Sequence, residues 1–260
     1  MLIAHLSDPH VCPPGTLYQG LLDSNARFAA AVDQVRALDP DLVILTGDIA
    51  EHGDPAEYAL ASQILSRLTA PLLAIPGNHD DRAAFRAGLS GLIPTTRNGP
   101  LHCIAEGAIR VIGLDVTVSG QHHGQIDASH AEWLDTTLAA VPDTPTLLML
   151  HQPPFATGIG FIDTYRCFGE DRLADVLHRH PQVLRLLCGH VHRFILTEFA
   201  GRPALTAPTT ATSLALRLTP GAMPASYTEP PAMLIHLWRD GALVSHLQPL
   251  GSYPGPHEFF

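Results

Sequence analysis

Five times along the chain a short apolar run stops abruptly at residues of metal-ligand type. Residues 2–7 end in Asp8-Pro9-His10, and the run before residue 47 ends in Gly47-Asp48. Residues 71–75 end in Pro76-Gly77-Asn78-His79-Asp80, residues 146–150 in His151, and residues 183–188 in Gly189-His190-Val191-His192. Leu42-Val43-Ile44-Leu45 is continuously apolar with two β-branched members, the pattern of a strand buried on both faces. Gly47 permits a sharp turn. Asp48 then stands at the carboxyl end of the strand, where open α/β sheets hold their ligands. A single carboxylate there reads equally as a cap for the next turn. The repetition is what constrains the fold, because it asks for strands that deliver ligands to one rim.

Helical patterns separate these runs. Residues 25–38 carry Phe28, Val32, Val35 and Leu38 on one stripe, and Pro40 ends the helix. Asp54-Pro55-Ala56-Glu57 is a helix start, with proline in the first turn and Glu57 reaching back. Residues 80–85 form another start, and Ser129-His130-Ala131-Glu132 reads as a capping box ahead of Trp133, Leu134 and Leu138. Residues 170–180 give a helix with Leu173, Val176 and Leu177 inward. A strand over 109–114 ends at Asp115, which either supports the site or caps a turn. Residues 152–169 read as a long loop. Alternating strands and helices give the α/β class. From residue 194 the pattern turns antiparallel, with hairpins over 194–207 and over 233–247, the second around Asp240-Gly241. The Thr-, Pro- and Ala-rich stretch 209–231 between them reads as a loop. The expected division is a catalytic core over residues 1–207 and a C-terminal segment, 208–260, whose strands complete a second sheet or meet another subunit.

At 260 residues and 46% hydrophobic, the chain can bury the core of one large domain. Its formal net charge of −10 offers no basic field to a nucleic-acid polymer or an anionic membrane surface. A small phosphate ester stays open, because bound cations reverse the local sign. No run approaches the roughly 20 apolar residues of a bilayer span, and the first residues lack the regions of a secretory leader; the expected location is the cytoplasm. Cys12, Cys103, Cys167 and Cys188 form no CxxC pair, which suits reduced thiols. His5, His102, His178, His180, His236, His246 and His257 have no spacing partner and read as ordinary core or surface histidines. For His122 and His123 a place at the mouth of the site stays open.

Asp8, His10, Asp48, Asn78, His151, His190 and His192 all fall at strand ends. Carboxylate, amide oxygen and imidazole without thiolate suit Mn, Fe, Co or Zn. With Asp48 shared, each of two divalent ions gets four protein ligands, an open set unlike a closed structural zinc site. Two neighbouring cations can clamp the attacking and leaving oxygens of a phosphoryl transfer.

These blocks resemble the DxH, GD, GNH(D/E), lone His and GHxH pattern of the calcineurin-like metallophosphoesterase superfamily, over residues 8–192. The resemblance implies a four-layer αββα sandwich of two mixed sheets flanked by helices. It implies that Asp8, His10, Asp48 and His192 hold the first metal and Asp48, Asn78, His151 and His190 the second. His79 would face the phosphate and help the leaving oxygen depart, while Asp80 either orients His79 or caps the helix behind it. The implied activity is hydrolysis of small phosphodiesters by in-line attack of a metal-activated hydroxide. Residues 1–10, Leu17-Tyr18-Gln19-Gly20, Asp23-Ser24-Asn25-Ala26 and residues 75–81 are similar to the glycerophosphodiesterase branch of the compact bacterial phosphodiesterases. Residues 188–193 fit the cyclic-nucleotide branch as well. Residues 207–213 lack a histidine that some glycerophosphodiesterases carry there, so cyclic nucleotides and phosphonate monoesters stay open as substrates. The acidic charge argues against a nuclease of this superfamily, and the intact ligand set against a non-enzymatic scaffold. The resemblance also suggests a homo-oligomer, with residues 209–231 and the terminal strands at a dimer contact.

Overall fold

The structure, a computed structural model, describes residues 1–94 and 99–259. Its elements follow in the order β1 (Leu2–Leu6), α1 (Ser24–Leu38), β2 (Leu42–Leu45), α2 (Pro55–Leu65), β3 (Leu72–Ala74), α3 (Arg82–Leu89), β4 (Cys103–Ala105) and β5 (Arg110–Gly113). Then come β6 (Gly124–Gln125), α4 (Ala128–Ala139), β7 (Thr146–Leu150), α5 (Gly160–Asp163), β8 (Cys167–Phe168), α6 (Glu170–Arg179), β9 (Val183–Cys188), β10 (Ile195–Phe199) and β11 (Arg202–Thr206). The chain closes with β12 (Ser213–Leu214), β13 (Ser226–Tyr227), β14 (Ala232–Arg239) and β15 (Ala242–Pro249). One sheet has the order β15-β14-β1-β2-β3 and the other β10-β11-β9-β7-β5-β4. In each, the strands that lead to the site are parallel; antiparallel pairs lie at both edges of the second sheet and at the β15-β14 side of the first, whose other edge, β3, is parallel.

Period-two alternation sorts the side chains of each central strand. Val43 and Leu45 of β2 join Phe28, Val32, Tyr58 and Phe85 beneath α1, α2 and α3. Leu42 and Ile44 point the other way, against Val111, Leu147, Met149 and Leu187 of the opposing sheet. In β7, Leu147 and Met149 face between the sheets, while Leu148 and Leu150 pack on Leu134, Leu138, Leu173 and Val176 of α4 and α6. The layers are therefore helix, sheet, sheet, helix, the αββα sandwich expected for the family pattern.

Several local expectations shift. The cap of α4 is Asp127, not Ser129: its carboxylate accepts the N–H groups of Ser129 (2.8 Å) and His130 (3.0 Å), and His130 Nδ1 reaches back to it at 2.7 Å. An aspartate side chain two residues earlier reaches the free N–H groups of the first turn, so the helix begins there. The start expected at residue 80 likewise belongs to Asp81, which accepts from Ala83 and Ala84. Glu57 does reach back, to the N–H groups of Asp54 (3.1 Å) and His52 (2.9 Å). The 152–169 loop holds α5 and β8, too short to show a period. None of the strands in residues 208–260 joins the second sheet, and β12 and β13 pair only with each other. β10 and β11 extend the second sheet beside β9, whereas β14 pairs with β1 and brings β15 to the first sheet. Met233, Leu234, Ile235 and His236 are buried on both faces of β14, which only an interior position allows. All four cysteines are buried and free. No helix among the described residues is long and apolar enough to cross a membrane.

Leu234 lies between the sheets and Met233 and Ile235 lie under the helices, so the last hairpin shares both cores. Leu234→Ala is expected to cost about 2–5 kcal/mol, read as a lowered midpoint in one cooperative denaturant transition. A separate early transition would show that the hairpin melts alone.

Candidate metal centre

The candidate ligands stand where strands leave their sheets, and the backbone there is unusual. Asp8, His10, Asp48, His190 and His192 have φ of 52°, 46°, 49°, 69° and 55°. Non-glycine residues seldom adopt this left-handed region, and holding each there costs on the order of 1–3 kcal/mol. The exits of β1 and β2 brace each other through Asp8 N–H to the Gly47 carbonyl (3.1 Å) and His10 N–H to the Asp48 carbonyl (3.0 Å). Gly47, at φ 95°, lets the strands close in: a Cβ there would lie 2.5 Å from His151 Nδ1 and 2.7 Å from Gly77 N.

The side chains converge in two sets that share Asp48. The ligand atoms of Asp8, His10, Asp48 and His192 lie within 4.8 Å of one another, as do those of Asp48, His151 and His190. Asp48 Oδ2 is 3.7 Å from His10 Nε2 and 3.3 Å from His151 Nε2. Asn78 Oδ1 is 3.2 Å from His151 Nε2 and so joins the second set. His192 Nε2 is 3.4 Å from Asp8 Oδ1 and 3.0 Å from His10 Nε2.

The outer ring nitrogens have fixed partners. His10 Nδ1 donates to Glu51 Oε2 (2.6 Å), His151 Nδ1 to the Thr46 carbonyl (2.6 Å) and His192 Nδ1 to the Thr212 carbonyl (2.8 Å). In the neutral rings each Nε2 lone pair then points inward, as in metal-binding histidines.

Charge balance tests whether metals fit. Asp8 and Asp48 are almost fully buried, and among the described residues no arginine lines the cleft. Burial opposes their ionisation, yet His192 beside Asp8 and His151 beside Asp48 hold both carboxyls below the usual range. Burial also opposes a charge on His151, but Asp48 pushes it up to about 9. Burial takes His190 down to about 3, and its buried Nε2 has no hydrogen-bond partner. A cation among these groups balances the carboxylates, gives His190 Nε2 a partner and separates the facing Nε2 atoms of His10 and His192. The residues present fit divalent metals.

The calcineurin-like phosphoesterase family model matches residues 1–194. The chain belongs to that family. It is 33% identical over 261 residues to the glycerophosphodiester phosphodiesterase GpdQ of Enterobacter lignolyticus, covering 98% of this chain and 94% of that protein. It is 32% identical over 256 residues to a cAMP/cGMP dual specificity phosphodiesterase of Mycobacterium tuberculosis, covering 96% and 80%. Among solved structures, a dimetal phosphatase from Danio rerio superposes with a TM-score of 0.70 at 13% identity over 96% of both chains, which speaks for the fold. Members of the calcineurin-like phosphoesterase family use divalent metals, and this His/Asp cluster is able to bind them.

Around this phosphoesterase centre, the remaining expected residues fall as follows. His79 donates its backbone N–H to Asp48 Oδ1 (2.9 Å) and Nδ1–H to the Glu51 carbonyl (2.8 Å), which leaves Nε2 to serve the cleft. Burial opposes its charge, but Asp48 and Glu51 raise its pKa. Asp80 neither orients His79 nor caps α3. Its carboxylate accepts from the N–H groups of Ile49 (3.1 Å), Ala50 (3.0 Å) and Gly77 (2.8 Å) and from the Tyr58 hydroxyl (2.8 Å), tying the two ligand loops together. Asp115 pairs with Arg82 at 2.6 Å, away from the ligands. His122 lines the cleft, where Asn78 Nδ2 approaches its Nδ1 at 3.3 Å; His123 packs on Phe168 instead. Sequence reasoning gave no role to Glu51, Tyr18, Phe161, Tyr165 or Leu214, which also line the cleft. Glu51 carried a faint signal in standing three residues after Asp48; the others sit in loops or, for Phe161 in α5 and Leu214 in β12, in elements too short to show a period.

Gly47→Ala is expected to weaken metal binding by at least about tenfold, measured by titration calorimetry with Mn. An unchanged affinity would mean that the rim tolerates a Cβ.

Proposed function

We propose that this calcineurin-like phosphoesterase is a two-metal phosphodiesterase acting on small phosphodiesters, of the glycerophosphodiester or 3',5'-cyclic nucleotide kind. The observation that carries the reading is the carboxylate of Asp48, common to two ligand sets that open on one cleft. Asp8, His10, Asp48 and His192 would hold one ion, and Asp48, Asn78, His151 and His190 the other. Such ions supply Lewis-acid polarisation of the phosphoryl oxygens and a nucleophilic water near neutral pH.

The chain's own groups do the rest. His79 is fixed at Nδ1 by the Glu51 carbonyl, so Nε2 carries the proton offered to the departing alkoxide. Its raised pKa keeps that proton available. Asp80 acts on this step only by bracing the loops around Gly77 and Ile49. Phe161, Ile162, Tyr165 and Leu214 give the cleft an apolar side, while Gln19, Thr212 and Ser226 offer polar contacts. The cleft volume of about 290 Å³ suits a small ester. Among the described residues no arginine lines the cleft, which favours a singly charged diester over a monoester, whose second ionisation near pH 6 adds a charge. The family relatives named for glycerophosphodiesters and for cyclic nucleotides support the substrate classes.

The test is a panel of glycerophosphoethanolamine, cyclic AMP, bis(p-nitrophenyl) phosphate and p-nitrophenyl phosphate with Mn, Zn, Fe or Co. Turnover is expected to vanish on chelation and return with metal, with diesters at least about tenfold above the monoester in kcat/KM, or ~1.4 kcal/mol. Diester turnover indifferent to chelation would sink the reading. His79→Ala is expected to slow the poor-leaving-group diesters by about 10²–10⁴ and bis(p-nitrophenyl) phosphate far less. Equal losses on both would remove the acid role.

A further inference from the structure

Behind the metal centre lies a line of polar groups that the proposed mechanism does not use. His5, Ser7, Thr46 and His236 are fully buried. His5 and His236 are 231 residues apart, yet His5 Nδ1 and His236 Nε2 meet at 3.2 Å. His5 Nε2 is 3.0 Å from Thr46 Oγ1, and Thr46 Oγ1 is 2.7 Å from Ser7 Oγ. Ser7 donates to Asp8 Oδ2. At the other end, His236 Nδ1 is 2.6 Å from Ser245 Oγ, which accepts from Arg185 Nη1.

Every proton in this line is determined from one end. An ionised Asp8 only accepts, so the Ser7 hydroxyl proton goes to Oδ2. The Thr46–Ser7 contact then needs the Thr46 proton. Thr46 has no second proton for His5, so His5 Nε2–H must donate to Thr46. The neutral ring leaves His5 Nδ1 as acceptor, so His236 Nε2–H donates to it. His236 Nδ1 therefore accepts from Ser245, whose oxygen is left for Arg185, a pure donor. The six bonds run one way, from Arg185 to Asp8, and none is orphaned. Burial lowers His5 to about 3 and also holds His236 well below its usual value, which agrees with one proton on each ring.

We propose that this buried line, from Arg185 through Ser245, His236, His5, Thr46 and Ser7, positions Asp8 by engaging Oδ2 and turning Oδ1 toward the metal. The inference rests on the reading of Asp8 as a ligand. His190 N–H spans both oxygens, at 3.0 Å to Oδ1 and 3.1 Å to Oδ2, and does not choose between them. The Ser7 hydroxyl does, and Oδ1 is the oxygen that faces His192 Nε2 at 3.4 Å. Outer partners of this kind typically change metal affinity by about 10–100-fold. Here the support begins at Arg185 of β9 in the second sheet and then runs across the first through β15, β14 and β1.

The test is calorimetric titration of the full-length protein with Co, together with the absorption spectrum of the bound Co and the thermal midpoint of the metal-free protein. Thr46→Val and His5→Phe keep shape and cut the line. Each is expected to weaken, by about tenfold, the ion whose binding Asp8→Asn abolishes, to alter its spectrum, and to leave the other ion unchanged. The double variant is expected to lose no more than the worse single, since links in one line are not additive. Thr46→Ser, which keeps the hydroxyl, is expected to restore the affinity. Ser245→Ala removes only a half-buried hydroxyl at the far end, so it reports on the line even if a core variant does not fold; it is expected to weaken the same ion. Wild-type affinities in Thr46→Val and Ser245→Ala, or equal weakening of both ions, would overturn the inference. Two ions bound normally by Asp8→Asn would instead overturn the assignment of Asp8 as a ligand.

Discussion

The carboxylate of Asp48 is the point on which both sheets meet. Oδ1 is pinned by the His79 N–H, and Oδ2 stands between His10 from the first sheet and His151 from the second. Taking a carboxylate out of water costs several kcal/mol even after relaxation. Asp8 adds a second one nearby, and the described ion pairs of both are with imidazoles alone. The sandwich thus brings together groups that repel or starve one another without cations. Metal binding and the final closure of the rim draw on the same free energy.

Backbone strain at the rim has the same origin. Asp8, His10, Asp48, His190 and His192 turn left-handed immediately after strands whose cores are densely packed on both faces. The strands cannot give way, so the turns absorb the distortion. Gly47 and Gly77 both lack the Cβ that would hold the β2 and β3 exits apart, and the ligands gain an approach that a relaxed loop would deny them. Rigid elements holding a strained edge are a common way to pre-organise a site.

Much of this was legible in the sequence, and the rest had physical reasons for staying hidden. Unbroken apolar runs such as Leu42-Val43-Ile44-Leu45 announce strands buried on both faces, and the residues after them announce the rim. The α/β class follows from such strands alternating with amphipathic helices, and the αββα layering from the resemblance of the ligand blocks to the family pattern. β6, β8, β12 and β13 escape because two residues carry no period. Asp80 looked like part of the His79 step because it is adjacent in the chain. Its real partners are N–H groups of the Ile49 loop, about thirty residues away. His5 and His236 each looked ordinary, since a pairing across 231 residues leaves no spacing to read. Tyr18 and Tyr165 line the cleft from irregular loops and Phe161 from the four-residue α5, where no pattern marks them.

β1 lies between β2 and β14, so the first strand of the chain is flanked by one of the last. Such a pairing closes most of the polypeptide into a single loop, and contacts of long sequence separation form late. Until residue 232 and beyond have been made, β1, the strand that leads to Asp8 and His10, therefore lacks its partner on the β14 side. The strand that carries the first two ligands is thus seated between both its neighbours only after the strand bearing the last two, β9, has been made.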